Sequence, residues 1–476
     1  MPLLDEGLIP TERYHMLDAG LLADVIRKTL SRGGDYADVY VEDRRQTALV
    51  LEDGRLEKVI SGTESGVGIR LLYGGRTAYA FSNDLAPESL LAAASEVSRA
   101  TAGGTGPMTL DLRTVRPEVD YAIRLAPARV PVGRKIGLVR KADAAARKLD
   151  ARIRQVSAVY RDTAQNIQIA TSDGTLAGDD RVYTTAIVHV VAASDDSIQT
   201  GYESAGGFIG FELFEENDME ELGLRAVRRA IMMLTARKAP GGRMPVVISS
   251  AAGGTMIHEA IGHGLEADLA QQGLSVFSSR IGSQVASPFI TVIDDSTLPG
   301  KRGSFRFDDE GTQSRRTVLV DRGILKSYMY DRLSAAKDGA ASTGNGRRES
   351  YRHRPIPRMT NTFIDRGETP PESILSSLGK GLLVEKMGGG QVNTVTGDFV
   401  FDVQEGYLIE GGAKGEPVRG ATLSGNGPAV LMSIDMVGSD LGFSIGTCGK
   451  DAQGVPVSDA MPTVRLPEIV VGGSYG

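Results

Sequence analysis

The sequence contains no tryptophan and only one cysteine, Cys448, among 476 residues. A single cysteine cannot form an internal disulfide, which excludes the small secreted proteins that disulfides stabilise and fits a reducing compartment. A basic excess is also missing: the formal net charge is −7, whereas a general nucleic-acid binder usually carries an excess of Lys and Arg. We therefore expect no nucleic-acid partner.

Long hydrophobic runs are absent too. No stretch approaches the roughly 18 uninterrupted apolar residues that a membrane helix needs. The most apolar run, 186–193, contains His189 and predicts a buried strand. At the amino terminus, Asp5 and Glu6 stand where a signal peptide would need positive charge followed by an apolar run. These features predict a soluble protein of the cytoplasm, with no membrane partner.

Glycine is what the sequence has in excess, with 59 residues, and glycine pairs mark many of the predicted turns. Asp53-Gly54 and Gly74-Gly75 separate strand patterns near the amino terminus, which predicts an antiparallel meander with tight turns. The strand patterns lie at 37–51, 55–61, 66–73, 76–82, 153–160, 166–171 and 181–193. Amphipathic helix patterns lie at 19–31, 87–101, 133–149 and 217–237.

The segment 239–242, Ala-Pro-Gly-Gly, is the best candidate for a domain boundary. Helix and strand patterns are mixed before it, whereas strand and turn patterns dominate after it and only one strong helix pattern remains. The predicted fold class is α+β. We expect an N-terminal α+β domain, residues 1–238, with an antiparallel sheet and flanking helices, and a C-terminal β-rich domain, residues 239–476, that carries the one helix.

That helix brings His258, Glu259 and His263 within six residues, in a chain with five histidines. It follows an apolar strand, 244–250, and Thr255 is the candidate for its amino-terminal cap. Its expected core face consists of Met256, Ala260, Ile261, Leu265 and Leu269. Imidazole is a preferred zinc ligand, so the pair indicates a metal site. The alternative is a pair of satisfied core histidines or of surface histidines.

The spacing of the two histidines decides what the helix must do. In the familiar zinc-peptidase helix the histidines are four residues apart and share one face. Here they are five apart, and a regular α-helix would place His258 and His263 about 140° apart around its axis. Either they are not ligands of one ion, or the helix is deformed. We predict a one-residue π-bulge, which Gly262 would tolerate inside the helix.

A catalytic zinc site keeps three protein ligands, so a third is needed. The candidates are Cys448, Glu266, Asp268 and His353. Cys448 lies between glycines, in a segment whose backbone can approach closely, although a lone cysteine is more often a small buried residue. Glu266 and Asp268 are better placed to orient an imidazole, or they are simply solvated charges.

The motif His258-Glu259-x-x-x-His263, with residues 264–268 after it, resembles the signature of the TldD/PmbA family of metallopeptidases, on the TldD side. Further matching segments are 308–312 (DDEGT), 343–350 (TGNGRRES), 357–362 (PRMTNT) and 446–451 (GTCGKD). The resemblance extends over essentially the whole chain. It implies that His258, His263 and Cys448 hold one zinc ion per active chain and that Glu259 is the catalytic base. The PmbA-type companion subunit lacks these ligands, so this chain is similar to the active half.

The resemblance therefore implies a zinc-dependent metalloprotease that cleaves unfolded or extended polypeptides, including small proteins and the leader peptides of modified peptide precursors. It also implies a dimer, either of two identical chains or with a PmbA/TldE-like subunit. Two alternatives stay open. One is a non-catalytic binding or scaffold subunit with a structural metal. The other is a small-amide hydrolase of the deformylase kind, which also combines two histidines with one cysteine.

Two segments are candidates for contact with substrate. Gly388, Gly389 and Gly390 precede an alternating strand pattern and can form a strand edge to which an extended peptide adds itself, or they are ordinary turn glycines. The densest basic cluster comprises Arg347-Arg348 and 352–354. We expect a solvated loop there; the alternative is a pocket for a substrate carboxylate, to which His353 would belong.

Overall fold

The computed structural model describes residues 17–103, 108–195 and 197–473. Asp5 and Glu6, on which the expectation of no signal peptide rests, lie outside these ranges. The described chain has an α+β fold, as the sequence predicts. Within it, no helix combines the length and the apolar character that crossing a membrane requires.

The first part of the chain, up to Lys238, forms one large sheet with helices packed on it. Its elements are α1 (Ala19–Thr29), β1 (Tyr36–Glu52), β2 (Arg55–Tyr73), β3 (Arg76–Ser82), α2 (Pro87–Ser98), β4 (Arg113–Thr114), α3 (Val132–Leu149), β5 (Ile153–Thr171), β6 (Thr175–Ser194), β7 (Ser197–Phe208), α4 (Leu213–Glu216), α5 (Met219–Thr235) and β8 (Arg237–Lys238). A single 3₁₀ turn, Pro127–Arg129, precedes α3.

The sheet has seven strands, in the order β3-β2-β1-β5-β6-β4, with β7 also paired to β6. Strand β8 instead pairs with a strand of the second part of the chain. The predicted turn at Asp53-Gly54 joins β1 to β2, and its two residues have φ of 50° and 76°, as a tight hairpin turn requires. Helices α1 and α2 share an apolar core with β1 and β2. Helices α3 and α5 share a second core with β5 and β6. The predicted antiparallel meander and its flanking helices are therefore confirmed, except that β2 is continuous over 19 residues and the expectation of two strands, 55–61 and 66–73, is wrong.

Strand β5 is continuous over 19 residues, so the expectation of two strands, 153–160 and 166–171, is wrong. The polar residues between them are paired inside the protein. Lys135 Nζ donates to Asp162 at 2.6 Å, and Gln165 Nε2 donates to Glu42 at 2.9 Å. Because these partners satisfy the buried polar groups, the strand runs through a segment whose sequence looks like a break.

The second part of the chain is dominated by short strands. Its elements are β9 (Gly242–Ile248), α6 (Thr255–Ile257), α7 (Ala267–Gln271), β10 (Val292–Asp295), β11 (Arg316–Asp321), β12 (Ile324–Leu325), α8 (Arg332–Asp338), β13 (Gly346–Arg347), β14 (Ile356–Pro357), β15 (Asn361–Ile364), α9 (Pro371–Ser376), β16 (Lys380–Val392), β17 (Asp398–Glu410), β18 (Ala413–Arg419), β19 (Thr422–Asn426), α10 (Gly427–Ser433), β20 (Met436–Val437), β21 (Gly442–Lys450), β22 (Gln453–Met461) and β23 (Val464–Gly472).

Two larger sheets and the two-stranded sheet β13-β14 make up the strands of this second part. One has the order β12-β11-β10-β15-β22-β21, which leaves β21 at its edge. In the other, β16 pairs with both β9 and β17, so that β16, β9, β23, β19 and β17 close into a ring. The largest apolar core lies here, and it includes Met256, Ala260, Ile261 and Leu265 from the predicted helix face. Leu269 of that face is only half-buried.

The expectation of a single helix in this part is wrong. Helices α8, α9 and α10 contain six or seven residues each. Such a length is less than two turns, too short for a helical period to appear among strand and turn patterns. Their ends carry the usual signals: Asp331 and Ser334 form a capping box at α8, and a proline occupies the first turn of α9 and of α10.

The expectation of a solvated loop at Arg347-Arg348 is also wrong, since these side chains are 2% and 3% exposed. Arg347 donates to the carbonyls of Met359 and Pro456 at 2.6 and 2.7 Å. Arg348 Nη2 donates to the Asp309 carbonyl at 2.8 Å. Buried carbonyls thus replace water as acceptors for the two guanidinium groups. Residues 352–354, by contrast, are exposed or half-buried.

Candidate metal centre and substrate cleft

The candidate site begins where β9 leads into α6. Gly254 precedes the first helical residue, and a Cβ on it would overlap the backbone of β22 at Asp459 and Ala460. Only a glycine lets the start of the helix approach that strand so closely. The Gly254 carbonyl accepts the His258 N–H at 2.9 Å. Thr255 is the first residue of α6 and makes no capping hydrogen bond, so its predicted role as the cap is wrong.

The helix then changes its hydrogen-bond pattern, as the histidine spacing predicts. Residues His258–Gly262 form a π-helical turn, in which the His263 N–H donates to the His258 carbonyl. This bond closes a turn with one extra residue and returns the two histidines to one side of the helix. A Cβ on Gly262 would overlap the Met359 sulfur, which explains a glycine at this point. Beyond a 3₁₀ turn, Glu266 is extended and ends the helical segment.

The turn places both histidines against Cys448, which arrives on the edge strand β21 and is 2% exposed. The Cys448 Sγ lies 3.6 Å from His263 Nε2. The two imidazole rings are 5.0 Å apart and nearly perpendicular, at 87°. One ligand atom from each of the three residues lies within 4.8 Å of the others.

These atoms fit a zinc ion. Zn–N bonds of about 2.0–2.1 Å and Zn–S bonds of about 2.3 Å keep two ligands of one ion within about 4.4 Å of each other. A small contraction of the cluster therefore suffices. His258 Nδ1 is buried without a hydrogen-bond partner in the described ranges, and Asp459 Oδ2, at 3.6 Å, lies just beyond reach. An unsatisfied nitrogen in a cluster of soft donors suits a group that the chain itself does not supply.

Glu266 lies behind His263 and is fully buried. Its Oε2 is 3.1 Å from His263 Nδ1, which directs the opposite ring nitrogen at Cys448. The same oxygen lies 3.3 Å from Lys450 Nζ. Asp268 instead pairs with Lys450 at 2.6 Å and contacts neither histidine. Both carboxylates were predicted to orient an imidazole. Glu266 contacts His263 directly, whereas Asp268 is linked to it only through Lys450 and Glu266.

The electrostatics of the cluster favour a thiolate. Burial alone would raise the pKa of Cys448, but hydrogen bonds and positive charge from His258 and His263 lower it to about 5. Burial would lower the pKa of His263, yet the Glu266 charge and Cys448 raise it well above its ordinary value. Burial would likewise raise the pKa of Glu266, but Lys450 and His263 lower it to about 2. The Cys448 thiol is therefore prepared to lose its proton, as a metal ligand must.

Glu259 stands beside the cluster and opens onto a cleft of about 680 Å³. It is half-buried, and in the described part of the chain its carboxylate forms no ion pair or hydrogen bond. A carboxylate without a partner at the wall of a cleft is able to accept a proton from a bound water or substrate.

The cleft is also lined by Gly388 and Gly389, from the predicted glycine-rich strand edge. Strand β16 pairs with β9 only up to Val384; beyond that point its strand partner is β17, and this pairing is interrupted at Gly388 and Gly389. Gly390 belongs to the same edge but packs against the Phe401 ring, outside the cleft lining. His353 lies with neither the metal cluster nor this cleft, and its Nδ1 is 3.1 Å from Ser350 Oγ.

Sequence reasoning missed three residues around the cluster. Asp459 faces His258, and both Arg358 and Lys450 approach Glu266, at 3.8 and 3.3 Å. Arg358 and Lys450 lie in the segments 357–362 and 446–451, which resemble the family's motifs, so these motifs could have pointed to both residues. Asp459 lies within β22 and nothing local marks it; the pairing of β22 with β21 and the close approach of Gly254 bring it to the site.

A cluster of two imidazoles and one thiol beside an unpaired carboxylate defines the class: a candidate metal-dependent hydrolase. Family models match three consecutive segments, described as PmbA/TldA metallopeptidase domain 1 (37–101), central domain (125–234) and C-terminal domain (241–473). The chain belongs to the PmbA/TldD metallopeptidase family.

Individual relatives agree with this. The metalloprotease TldD homolog of Haemophilus influenzae is 38% identical over 93% of this chain and 94% of its own length. A Buchnera aphidicola protein of the same name is 34% identical over 99% of both chains. The crystal structure of TldE from Thermococcus kodakarensis superposes with a TM-score of 0.76, covering 95% of this chain and 100% of that one at 18% identity, which supports the fold. Kinship to named metalloproteases supports the same activity here.

Proposed function

We propose that this protein is a zinc-dependent endopeptidase that hydrolyses peptide bonds in unfolded or extended polypeptides. The observation that carries the proposal is the meeting of His258, His263 and Cys448 around one point, with Glu259 beside them at the wall of a cleft. Each active chain would hold one zinc ion through those three side chains. When bound, zinc would supply a Lewis acid that polarises a carbonyl and lowers the pKa of water.

The remaining steps belong to the chain's own residues. Glu266 holds His263 in one orientation through the 3.1 Å contact to Nδ1. Glu259, with no partner in the described structure, takes a proton from water and passes it to the leaving amine. The Cys448 thiolate donates more charge than an imidazole would, which we expect to moderate the metal's acidity and to slow cleavage.

The free edge of β16 supports binding of extended chains. A peptide that lies along 386–392 would pair with backbone groups that have no strand partner on that side in the described structure. Backbone pairing reads little of the side-chain sequence, so many unfolded substrates would fit, whereas most of the backbone of a folded protein is already paired within its own structure. Gly388 and Gly389, which line the cleft without side chains, leave room for that strand. The same geometry suits small proteins and leader peptides.

We further propose that the protein acts in the cytoplasm as a dimer, either of two identical chains or with a PmbA/TldE-like subunit. The single cysteine supports a reducing compartment, and the likeness to a TldE structure supports a related partner fold. The domain boundary would lie between residues 238 and 239, where α5 and β8 give way to the strands of the second part.

The test is the substitution Glu259→Gln, which keeps shape and removes the base. We expect the zinc content to be unchanged and cleavage of an unfolded protein to fall by about 10²–10⁴-fold. The matched control is Glu385→Gln on β16, whose carboxylate pairs with Lys414 and lies outside the cleft lining. Undiminished cleavage by Glu259→Gln would refute the mechanism. Cleavage of formylated peptides but not of unfolded protein would favour the small-amide hydrolase, and bound metal with neither activity would favour a scaffold subunit.

A further inference from the structure

A second cavity, of about 490 Å³, opens beside the substrate cleft and is rich in arginine. Tyr202, Ile445, Gly446 and Thr447 line both spaces, so the two are adjacent. We call the second one the arginine chamber. Six arginines and three carboxylates line it.

Two of the three carboxylates in the chamber are already paired. Asp162 accepts from Lys135 at 2.6 Å, and Asp309 pairs with Arg181 at 2.8 Å. The third, Glu349, accepts the Gly454 N–H at 2.6 Å and has no cationic partner in the described structure. Glu349 is thus the one carboxylate of the chamber that is still available to neutralise the other arginines.

Four arginines of the chamber have no carboxylate within 4.0 Å in the described ranges: Arg44, Arg161, Arg302 and Arg347. Arg347 donates only to backbone carbonyls, and its Nε is buried without a partner. Arg302 Nε donates to the Gly446 carbonyl at 3.2 Å. Arg44 Nε is buried and unpartnered as well.

Unpaired guanidinium groups that face each other in a partly closed space destabilise one another. Burial lowers the pKa of Arg302, and the neighbouring Arg161 lowers it further. Burial also lowers the pKa of Arg347, to about 10. An anion in the chamber would offset this electrostatic repulsion, and a planar carboxylate can accept two parallel hydrogen bonds from one guanidinium group.

We propose that the arginine chamber binds a carboxylate of the peptide substrate, either its terminal carboxylate or an Asp or Glu side chain. The proposal rests on the proposed function, because it takes the cleft to be the place where a peptide lies. Strand β21 connects the two spaces: Ser444 faces the cleft, and Ile445, Gly446 and Thr447 border both. A peptide that follows this strand would pass from the cleft into the chamber within about three residues, at roughly 3.3 Å each.

The experiment measures binding separately from cleavage. Zinc-loaded Glu259→Gln protein is titrated with fluorescently labelled peptides of one length: a neutral peptide amide, the same peptide with a free carboxyl terminus, and amides with one Asp placed at each position in turn. We expect one carboxylate form to bind about tenfold more tightly than the neutral amide, and high salt to reduce the difference. Tighter binding of the peptide with a free carboxyl terminus would identify a site for the terminal carboxylate, and tighter binding of an Asp-containing amide would identify a site for an acidic side chain.

Arg161→Gln and Arg302→Gln, added singly, should abolish the carboxylate preference and leave binding of the neutral amide unchanged. Arg161 is exposed, and glutamine at 302 keeps a donor for Gly446, so the fold should persist. Arg302→Lys should restore part of the preference. The matched control is Arg154→Gln, an exposed arginine on the same strand as Arg161 and outside the chamber.

Equal affinity for all peptide forms would overturn the proposal. So would arginine variants that reduce the affinity for the neutral amide as much as the affinity for the carboxylate peptides. Arginine-dependent binding of a single-stranded oligonucleotide in preference to the peptides would overturn it too. If the unmodified protein cleaves no unfolded polypeptide but the carboxylate preference is still observed, the proposed peptidase activity is refuted and the proposed carboxylate binding in the arginine chamber is not.

Discussion

Two buried polar clusters in this protein differ in how their charges are balanced. Around Arg70, every charge has an opposite neighbour: Asp38 accepts from its Nε at 2.7 Å, and Glu310 lies 2.7 Å from its Nη1. All three side chains are at most 1% exposed. Around Cys448, two imidazoles and a thiol converge, and His258 Nδ1 is left without a partner in the described chain. The charges of the first cluster are balanced by ion pairs within the chain, whereas the set of donor atoms in the second suits an added ion.

The location of each cluster agrees with this difference. Arg70 and Asp38 come from β2 and β1, while Glu310 belongs to the second part of the chain, so the balanced cluster ties the first sheet to the rest of the molecule. The cysteine cluster borders the cleft. Stability and chemistry should therefore respond to different substitutions.

The largest effect is expected from Arg70→Met. It leaves two carboxylates buried without their cation and should lower the free energy of unfolding by about 3–5 kcal/mol, measured by urea denaturation. Arg113→Met, which breaks a pair whose side chains are 84% and 73% exposed, is the control and should change little. The destabilisation should be the same with and without zinc. A loss no greater than that of the control would contradict the structural role of this cluster.

Glu266→Gln should act on the other cluster. Without the carboxylate that orients His263, zinc affinity is expected to fall by about 10–100-fold, measured by competition with a chromogenic chelator. Asp268→Asn removes a carboxylate that contacts Lys450 and no histidine, so it should lower the zinc affinity by much less. Equal losses in the two variants would show that general charge, and not the orientation of His263, is what matters.

A smaller, purely spectroscopic effect follows from the pKa of Cys448, which is about 5 in the chain without metal. Because an acid is ionised above its pKa, the thiolate should be present at neutral pH and its ultraviolet absorbance should disappear as the pH falls through about 5. Cys448→Ser provides the baseline. A thiolate signal that appears only near the ordinary pKa, about 8.5, would mean that the histidines do not stabilise the charge.

Local patterns predicted the parts of the molecule that depend on local chemistry. The Asp53-Gly54 turn and the amphipathic helices α1, α3 and α5 follow from residue type and period. The π-helical turn was predictable as well, because five-residue spacing of two ligands conflicts with the α-helical period.

Features that depend on distant partners were not predictable in this way. Cys448 is 185 residues from His263; its residue type made it one of four candidate ligands, and only the family resemblance selected it. The burial of Arg347 depends on acceptors at Met359 and Pro456, which no local pattern shows. Asp459 reaches His258 through strand pairing and the close approach of Gly254 to β22.

The most direct test of the metal centre is elemental analysis of the purified protein beside Cys448→Ser, after equal dialysis against a weak chelator. We predict one equivalent of zinc per chain in the unmodified protein and much less in the variant, with both proteins folded by circular dichroism. A protein that holds no stoichiometric metal, or a variant that keeps its full equivalent, would contradict the central claim that His258, His263 and Cys448 form one zinc site.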